Sequence, residues 1–335
     1  MGISSKAPAP PIIRLGHPMA FAAFLKRIGT PVERYFRSRG LPVYCDSPDE
    51  FVPLRQAWSF FDATAHSEDP MLGWHVGGFV GDQNLNRGLK LKLESSPTLY
   101  QALKRFVQLI SAEASHLELG ILERRKEILF FTQYSNMKGV AGYTSSQSYQ
   151  LEIFADLVRH YVGPAWVPTT IGIEDSTVPA IAEEHFPGSR ILTDQWAGYI
   201  AIPRACLHIG TRGSELEDRD GAPLVLAGEF DYADTLRSLL KPHLPEGYPS
   251  ARLGASLMAT SERTLARRLS ARGVSYQVLV DKLRFETARD LLQDQSLRIS
   301  EVSRAVGFGD SSHFSRMFRR IAGLSPRQFR KVAQA

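Results

Sequence analysis

"GFGDSSHFSRMFRRIAGLSPRQFR" occupies residues 307–330 and interleaves Phe with Arg at helical spacing. Phe314, Phe318 and Ile321 fall at i, i+4 and i+7, so they share one face of a helix and are expected to pack inward. Ser311, Ser312, His313, Ser315, Arg316 and Arg319 are left on the other faces. Just upstream, "RISEVSRAVGF" (298–308) places Ile299, Val302 and Val306 on one face, and Gly307 is a helix stop. Asp310 or Ser311 can cap the helix that follows. Two short helices joined by a tight turn, the second turning small polar and Arg side chains outward, make a helix-turn-helix pattern suited to reading DNA. "LSPRQFR" then opens a closing helix, with Ser325 as cap and Pro326 at the first position.

A less regular copy of the scheme lies upstream in "PSARLGASLMATSERTLARRLSARG" (249–273). It predicts a helix over about 250–258, a turn at Ala259 and Thr260, and Ser261 as the next N-cap. Leu265 and Leu269 then point inward, leaving Arg263, Ala266, Arg267 and Arg268 on the remaining faces. Between the copies, "SYQVLVDKLRFETARDLLQD" carries an apolar stripe of Val278, Leu283, Ala288, Leu291 and Leu292. A helix of about 20 residues spans roughly 30 Å, close to the ~34 Å turn of B-DNA that separates successive major grooves. Arg263, Arg267 and Arg316 suit bidentate contacts to guanine, contacts to phosphate, or plain solvation. Ser311, Ser312, His313 and Ser315 suit hydrogen bonds to bases or phosphates, with Ser311 alternatively a cap.

The charge distribution agrees. Residues 249–335 hold fourteen Arg and two Lys against seven acidic residues, a net of +9, whereas the other 248 residues carry −4. A basic module on a mildly acidic body is the electrostatic footprint of nucleic-acid binding. The two cysteines, Cys45 and Cys206, are too few for a disulfide framework, which predicts a reducing cytoplasm. The start "MGISSKAPAPPIIRLGHP" has neither a signal-peptide pattern nor the myristoylation pattern, and no apolar run approaches a bilayer span. No membrane partner is therefore expected.

The preceding two-thirds predicts an α+β body. "PMAFAAFLKRIG" and "TPVERYFRSRG" read as helices, the second with Thr30 as cap and Pro31 at its first position, and a further helix follows Pro53. "SPTLYQALKRFVQLISA" (96–112) is helical, while "HLELGILERRKEILFFTQY" (116–134) alternates around a charged tip and reads as a hairpin. Leu151, Phe154, Val158 and Tyr161 mark a buried helix face, and "TTIGIED" and "QWAGYIAIP" read as strands. The domain expectation is a flexible arm over 1–17, an α+β regulatory domain over 18–210, a linker and connecting helix over 211–245, and an all-α double helix-turn-helix over 246–335.

Residues from about 249 to 332 resemble the DNA-binding domain of the AraC/XylS family of bacterial transcription regulators. The resemblance is carried by Ile299-x-x-Val302-Ser303-x-x-Val306-Gly307-Phe308, by His313 through Arg320, and by Gly323-Leu324-Ser325-Pro326-x-x-Phe329-Arg330. Ser261-Glu262-Arg263-Thr264-Leu265-x-Arg267-Arg268-Leu269 is similar to the family's first recognition helix. Two positions depart from the pattern: Ala259 stands where the family usually has Gly in the first turn, and Gly254 where it often has a β-branched residue. "FLKRIGTPVERYFRSRGLP", "SSPTLYQALKRF" and "EEHFPGSRI" are similar to an effector-binding domain of the arabinose-binding-like, ornithine-regulator type.

The resemblance implies a cytoplasmic, ligand-responsive activator of metabolic genes. Its DNA-binding residues are Ser261, Arg263, Thr264, Ala266, Arg267, Arg268, Ser311, Ser312, His313, Ser315, Arg316 and Arg319. Its partners are double-stranded promoter DNA, RNA polymerase and a small-metabolite effector. A homodimer is compatible with the sequence, although no heptad marks one. Neither a cofactor nor a metal is expected: His66, His75, His116, His160 and His185 are scattered, and Asp46, Asp49, Glu183 and Glu184 accompany no nucleophile motif. Trp58, Phe60, Phe61, Trp74, Tyr134, Tyr143 and Tyr149 are expected to build the core, with a ligand pocket as the alternative. The competing readings are a repair-type enzyme with a DNA-binding tail, a ligand-independent repressor, and a membrane- or protein-binding amphipathic helix over 307–330.

Overall fold

The computed structural model describes residues 9–45, 47–134, 137–176, 185–210 and 230–332. Of the linker and connecting helix expected over 211–245, residues 211–229 lie outside these residues, as do Asp46, Glu183 and Glu184. The chain forms two compact units: Pro11–Leu41 with Leu54–Glu229, and Phe230–Ala335 with Pro42–Pro53 and Met1–Pro10.

The larger unit begins with strand β1 (Ile12–Arg14) and helices α1 (Gly16–Arg27) and α2 (Val32–Arg39). The loose arm expected over 1–17 does not hold for residues 12–15, because Ile12, Ile13 and Leu15 are buried and the Arg14 guanidinium is paired with Glu113. The N-cap position of α2 is held by Pro31, while the Thr30 hydroxyl donates to Glu68 instead of capping. Helices α3 (Leu54–Ser67), α4 (Leu72–Val80), α5 (Arg87–Glu94) and α6 (Leu99–Leu109) follow. Thr98, whose hydroxyl accepts from Gln101 N, starts the last of these.

Strands β3 (Leu117–Glu123) and β4 (Glu127–Tyr134) form the expected hairpin. They join β5 (Thr170–Gly172), β6 (Arg190–Leu192) and β7 (Gly198–Pro203) in the order β3-β4-β7-β5-β6, with only β5 and β6 parallel. Helix α7 (Tyr143–Val162) packs on β4, β7 and α4, and buries Leu151, Phe154, Val158 and Tyr161 as their spacing predicts. The seven aromatics expected in the core are all buried.

In the smaller unit, strand β2 (Phe51–Pro53) packs against α8 (Tyr232–Leu240). Asp231 caps α8 by accepting from the N–H groups of Ala233 and Asp234, which holds its carboxyl below the usual range. This helix was expected to connect domains, yet Tyr232, Leu236, Leu239 and Leu240 are buried and it packs on the helices that follow. Those are α9 (Ala251–Leu257), α10 (Glu262–Ser270), α11 (Tyr276–Leu291), α12 (Ile299–Ala305), α13 (Ser311–Ala322) and α14 (Pro326–Val332).

The two departures from the family pattern have local causes. Ala259 takes a left-handed conformation, φ 48°, in the turn between α9 and α10, where a Cβ is unfavourable by about 1–2 kcal/mol. Ala259→Gly is therefore expected to stabilise the unit by up to about 1 kcal/mol, once the extra unfolded-state entropy of glycine is subtracted. A raised urea midpoint at unchanged slope would show it, whereas a lowered midpoint would contradict the strain. Gly254 makes room for a ring: a Cβ there would lie 2.7 Å from Tyr276 Cε2. The Tyr276 hydroxyl in turn donates to the carbonyls of Pro249 and Ser250, 3.1 and 2.8 Å away, tying α11 to the start of α9.

Candidate nucleic-acid interface

Each candidate reading helix is started by a side-chain cap. Ser261 Oγ accepts from Thr264 N at the head of α10, and Asp310 accepts from Ser312 N at the head of α13. The Asp310 carboxyl is held below its usual range chiefly by that backbone N–H. Ser311 is therefore the first helical residue rather than the cap, and its carbonyl accepts from Ser315 Oγ at 2.8 Å.

Phe314 and Phe318 are fully buried, joined by Met317, in a cluster with Ala288, Leu292, Val302 and Val306. Ile321, expected inward, is 42% exposed. It lies in the last turn of the helix, while Met317, one turn earlier, is buried. On α11, Val278 is 59% exposed while Leu279 and Val280 face inward. The helix has 16 residues, about 24 Å, shorter than the 20 residues expected.

The outward faces separate the candidates. On α10, Arg263, Ala266 and Arg267 are exposed, and the two Arg lie one turn apart. Arg268 behaves differently: its guanidinium stacks on the Tyr232 ring at 5.2 Å, beside Arg272 at 5.3 Å, and packs the helix onto α8. Ser261 and Thr264 are engaged with each other, 3.1 Å between hydroxyls. On α13, Ser312, Ser315, Arg316 and Arg319 follow one face at i, i+3, i+4 and i+7, and all but the half-buried Ser315 are exposed. His313 is exposed one step around the helix, 3.9 Å from Asp310.

An open groove of about 750 Å³ runs beside this face. Ser311, Ser312, Ser315 and Arg316 line it together with Arg298 and Ser300 of the α12 start and Ser325 and Arg327 of the α14 start. Guanidinium groups and serine hydroxyls lining one groove suit an anionic backbone. The sequence reading missed Arg298, Ser300 and Arg327, although the cap pattern points to them. Glu301 accepts from Arg298 N, and Ser325 and Gln328 bond reciprocally, so both helix starts are marked three residues ahead.

A second arginine of the unit, besides Arg268, packs inward. Arg284 on α11 is buried, donates from Nε to Val306 O and from a terminal nitrogen to Gly307 O, both at 2.7 Å, and stacks on Phe308 at 3.5 Å. It closes the C-terminus of α12, where the helix dipole favours a cation. Burial lowers its pKa. Gly307 beside it has φ 78°, and a Cβ there would meet Leu244 O at 2.4 Å. The turn between α12 and α13 is thereby pinned from two sides.

A helix-turn-helix domain model matches residues 255–332, which contain both capped helices and the helix between them. Residues 255–332 are a helix-turn-helix domain of the AraC type. Over 87 residues the chain is 37% identical to the HTH-type transcriptional regulator VqsM of Pseudomonas aeruginosa, covering 26% of this chain and 27% of that protein. It is 36% identical over 88 residues to the ornithine utilization regulator of the same organism, covering 26% of each. Against the transcriptional activator RhaS of Escherichia fergusonii it is 40% identical over 82 residues, covering 24% of this chain and 30% of that one. The chain thus spans about a quarter of the length of these curated relatives, each of which is named a regulator or activator. Among solved structures, the transcriptional regulator CdpR from P. aeruginosa covers 90% of this chain at 18% identity, with 96% of its own chain covered and a TM-score of 0.38.

Among the described residues, no group of three or more His, Cys, Asp or Glu is placed to hold a metal ion. No helix among them is long and apolar enough to cross a membrane.

Proposed function

We propose that the protein is a cytoplasmic transcription regulator that grips promoter DNA with α10 and α13, and that its larger unit makes the grip responsive to a small metabolite. The observation that carries this reading is the pair of capped helices in one basic unit, each presenting exposed Arg side chains opposite a buried apolar face. Arg263 and Arg267 serve the first half-site, and Ser312, Ser315, Arg316 and Arg319 the second. Arg298 and Arg327 hold the adjoining phosphates. Activation of metabolic genes through RNA polymerase is the favoured outcome, since RhaS is named an activator. For an effector to switch the protein, it must bind one arrangement of the chain better than another. A homodimer would double the contacts without changing either reader.

Genome-wide mapping of bound sites in cells tests the reading. It should return discrete promoters, and binding to them in vitro should weaken steeply with salt as phosphate contacts release counterions. Uniform recovery of genomic DNA, or binding indifferent to salt, would overturn it.

A further inference from the structure

Helix α10 is seated by Leu265 and Leu269, which are buried and fix how deep it lies in the unit. Two leucines one turn apart do not by themselves fix the rotation of a helix about its own axis. An atom 5–6 Å off that axis moves by about 1 Å for a rotation of roughly 10°, whereas a binding constellation must be held to within about 0.5 Å. The angle at which Arg263 and Arg267 leave α10 therefore has to be set by a contact on the flank of the helix.

Arg268 lies on that flank, one residue past Arg267, and is half-buried. Its guanidinium sits 5.2 Å from the centre of the Tyr232 ring, and that of Arg272, one turn further on, 5.3 Å from the same ring. A terminal nitrogen of Arg272 also donates to Arg268 O at 3.1 Å, which ties the end of α10 to the same place. Tyr232 is only 3% exposed, and its hydroxyl has no hydrogen-bond partner among the described residues. What it offers α10 is the face of its ring, and a cation is drawn to a desolvated ring more strongly than to an exposed one. The ring stands on a fixed base. It belongs to the first residue of α8, which Asp231 caps. Phe230 packs edge-on against Phe51 of β2 at 5.8 Å, and Lys241, just past the end of α8, pairs with Glu50 at 2.8 Å.

We propose that Tyr232 is a positioning residue for the first half-site: through Arg268 and Arg272 it sets the rotation of α10 and so aims Arg263 and Arg267, without touching DNA itself. Arg268 then belongs to this clamp and not to the reading face. Helix α13 is seated instead by Phe314, Met317 and Phe318 in a cluster of their own, so the influence of Tyr232 is confined to one half-site. The proposal rests on α10 being a reader and adds what orients it.

Promoter affinity and footprints of full-chain Tyr232→Phe, Tyr232→Leu and Arg268→Met test it. Tyr232→Phe keeps the ring and should bind as the wild type does. Tyr232→Leu keeps an apolar side chain but removes the ring, and should weaken binding about tenfold while fading only the patch that Arg267→Ala fades. Arg268→Met keeps an unbranched stem without the charge and should fade the same patch, by about threefold in affinity. The Tyr232→Leu, Arg268→Met double variant should bind no more weakly than Tyr232→Leu alone, because the charge acts through the ring. If Tyr232→Leu lowers the urea midpoint, Arg268→Met beside Tyr232→Phe carries the comparison. Intact protection in both Tyr232→Leu and Arg268→Met would overturn the proposal. So would losses that add in the double variant, Tyr232→Phe as weak as Tyr232→Leu, or equal fading of both patches at the wild-type midpoint. Arg267→Ala separates this failure from that of the reading beneath it. Should it also leave both patches intact, α10 is not a reader and both fall; should it fade one patch that the clamp variants spare, only the positioning role falls.

Discussion

With Arg316 replaced by alanine, the protein is expected to unfold at the wild-type urea midpoint and to bind its promoter about tenfold more weakly. Arg316 is exposed in the first turns of α13, makes no contact that the core depends on, and lies beside Ser312 and Ser315 at the edge of the groove. A bidentate Arg–guanine contact is worth about 1–3 kcal/mol of discrimination, so the loss should be concentrated on the specific site. If Arg316 met only phosphate, specific and non-specific binding would fall together, with a reduced salt slope. Arg267→Ala on α10 should behave in the same way. The two losses should add, because the residues lie on different helices and share no partner. Unchanged footprints from both variants would contradict the assignment of α10 and α13 as readers.

Arg284→Ala should have the opposite profile, a large loss of stability that precedes any effect on DNA. Removing the guanidinium leaves the carbonyls of Val306 and Gly307 without their donor and uncovers the Phe308 ring. Breaking a buried, doubly hydrogen-bonded arginine costs about 3 kcal/mol. The urea midpoint of the smaller unit should drop accordingly. Arg284→Lys should recover only part of the loss, because an ammonium cannot reproduce the planar fork that meets two carbonyls at once. A wild-type midpoint in Arg284→Ala would show that the turn between α12 and α13 does not depend on it.

What could be read from the sequence follows a physical divide. Local signals carried well: Ser261 caps, Gly307 takes positive φ, and Phe314 and Phe318 go inward, because each depends on neighbours within a turn or two. The hairpin over 117–134 was legible for the same reason. Periodicity alone misplaced Ile321 and Val278, since which flank of an apolar stripe is covered depends on where the next helix packs. Arg268 and Arg284 resembled their exposed neighbours in the sequence. Only the tertiary fold brings Tyr232 under the one and the α12 carbonyls onto the other. The recruitment of α8 and β2 into the smaller unit was likewise invisible, because their partners lie distant in the chain. Trp58, Phe60, Phe61, Trp74, Tyr134, Tyr143 and Tyr149 go to the core as expected.

Hydroxyl-radical footprinting of the full chain on a bound promoter tests the central claim most directly. Two readers in one unit, held by a helix of 16 residues, predict two protected patches on one face of the duplex, centred about one helical turn apart. Arg267→Ala should fade one patch and Arg316→Ala the other. A single patch, or protection that both variants leave intact, would contradict the two-part grip.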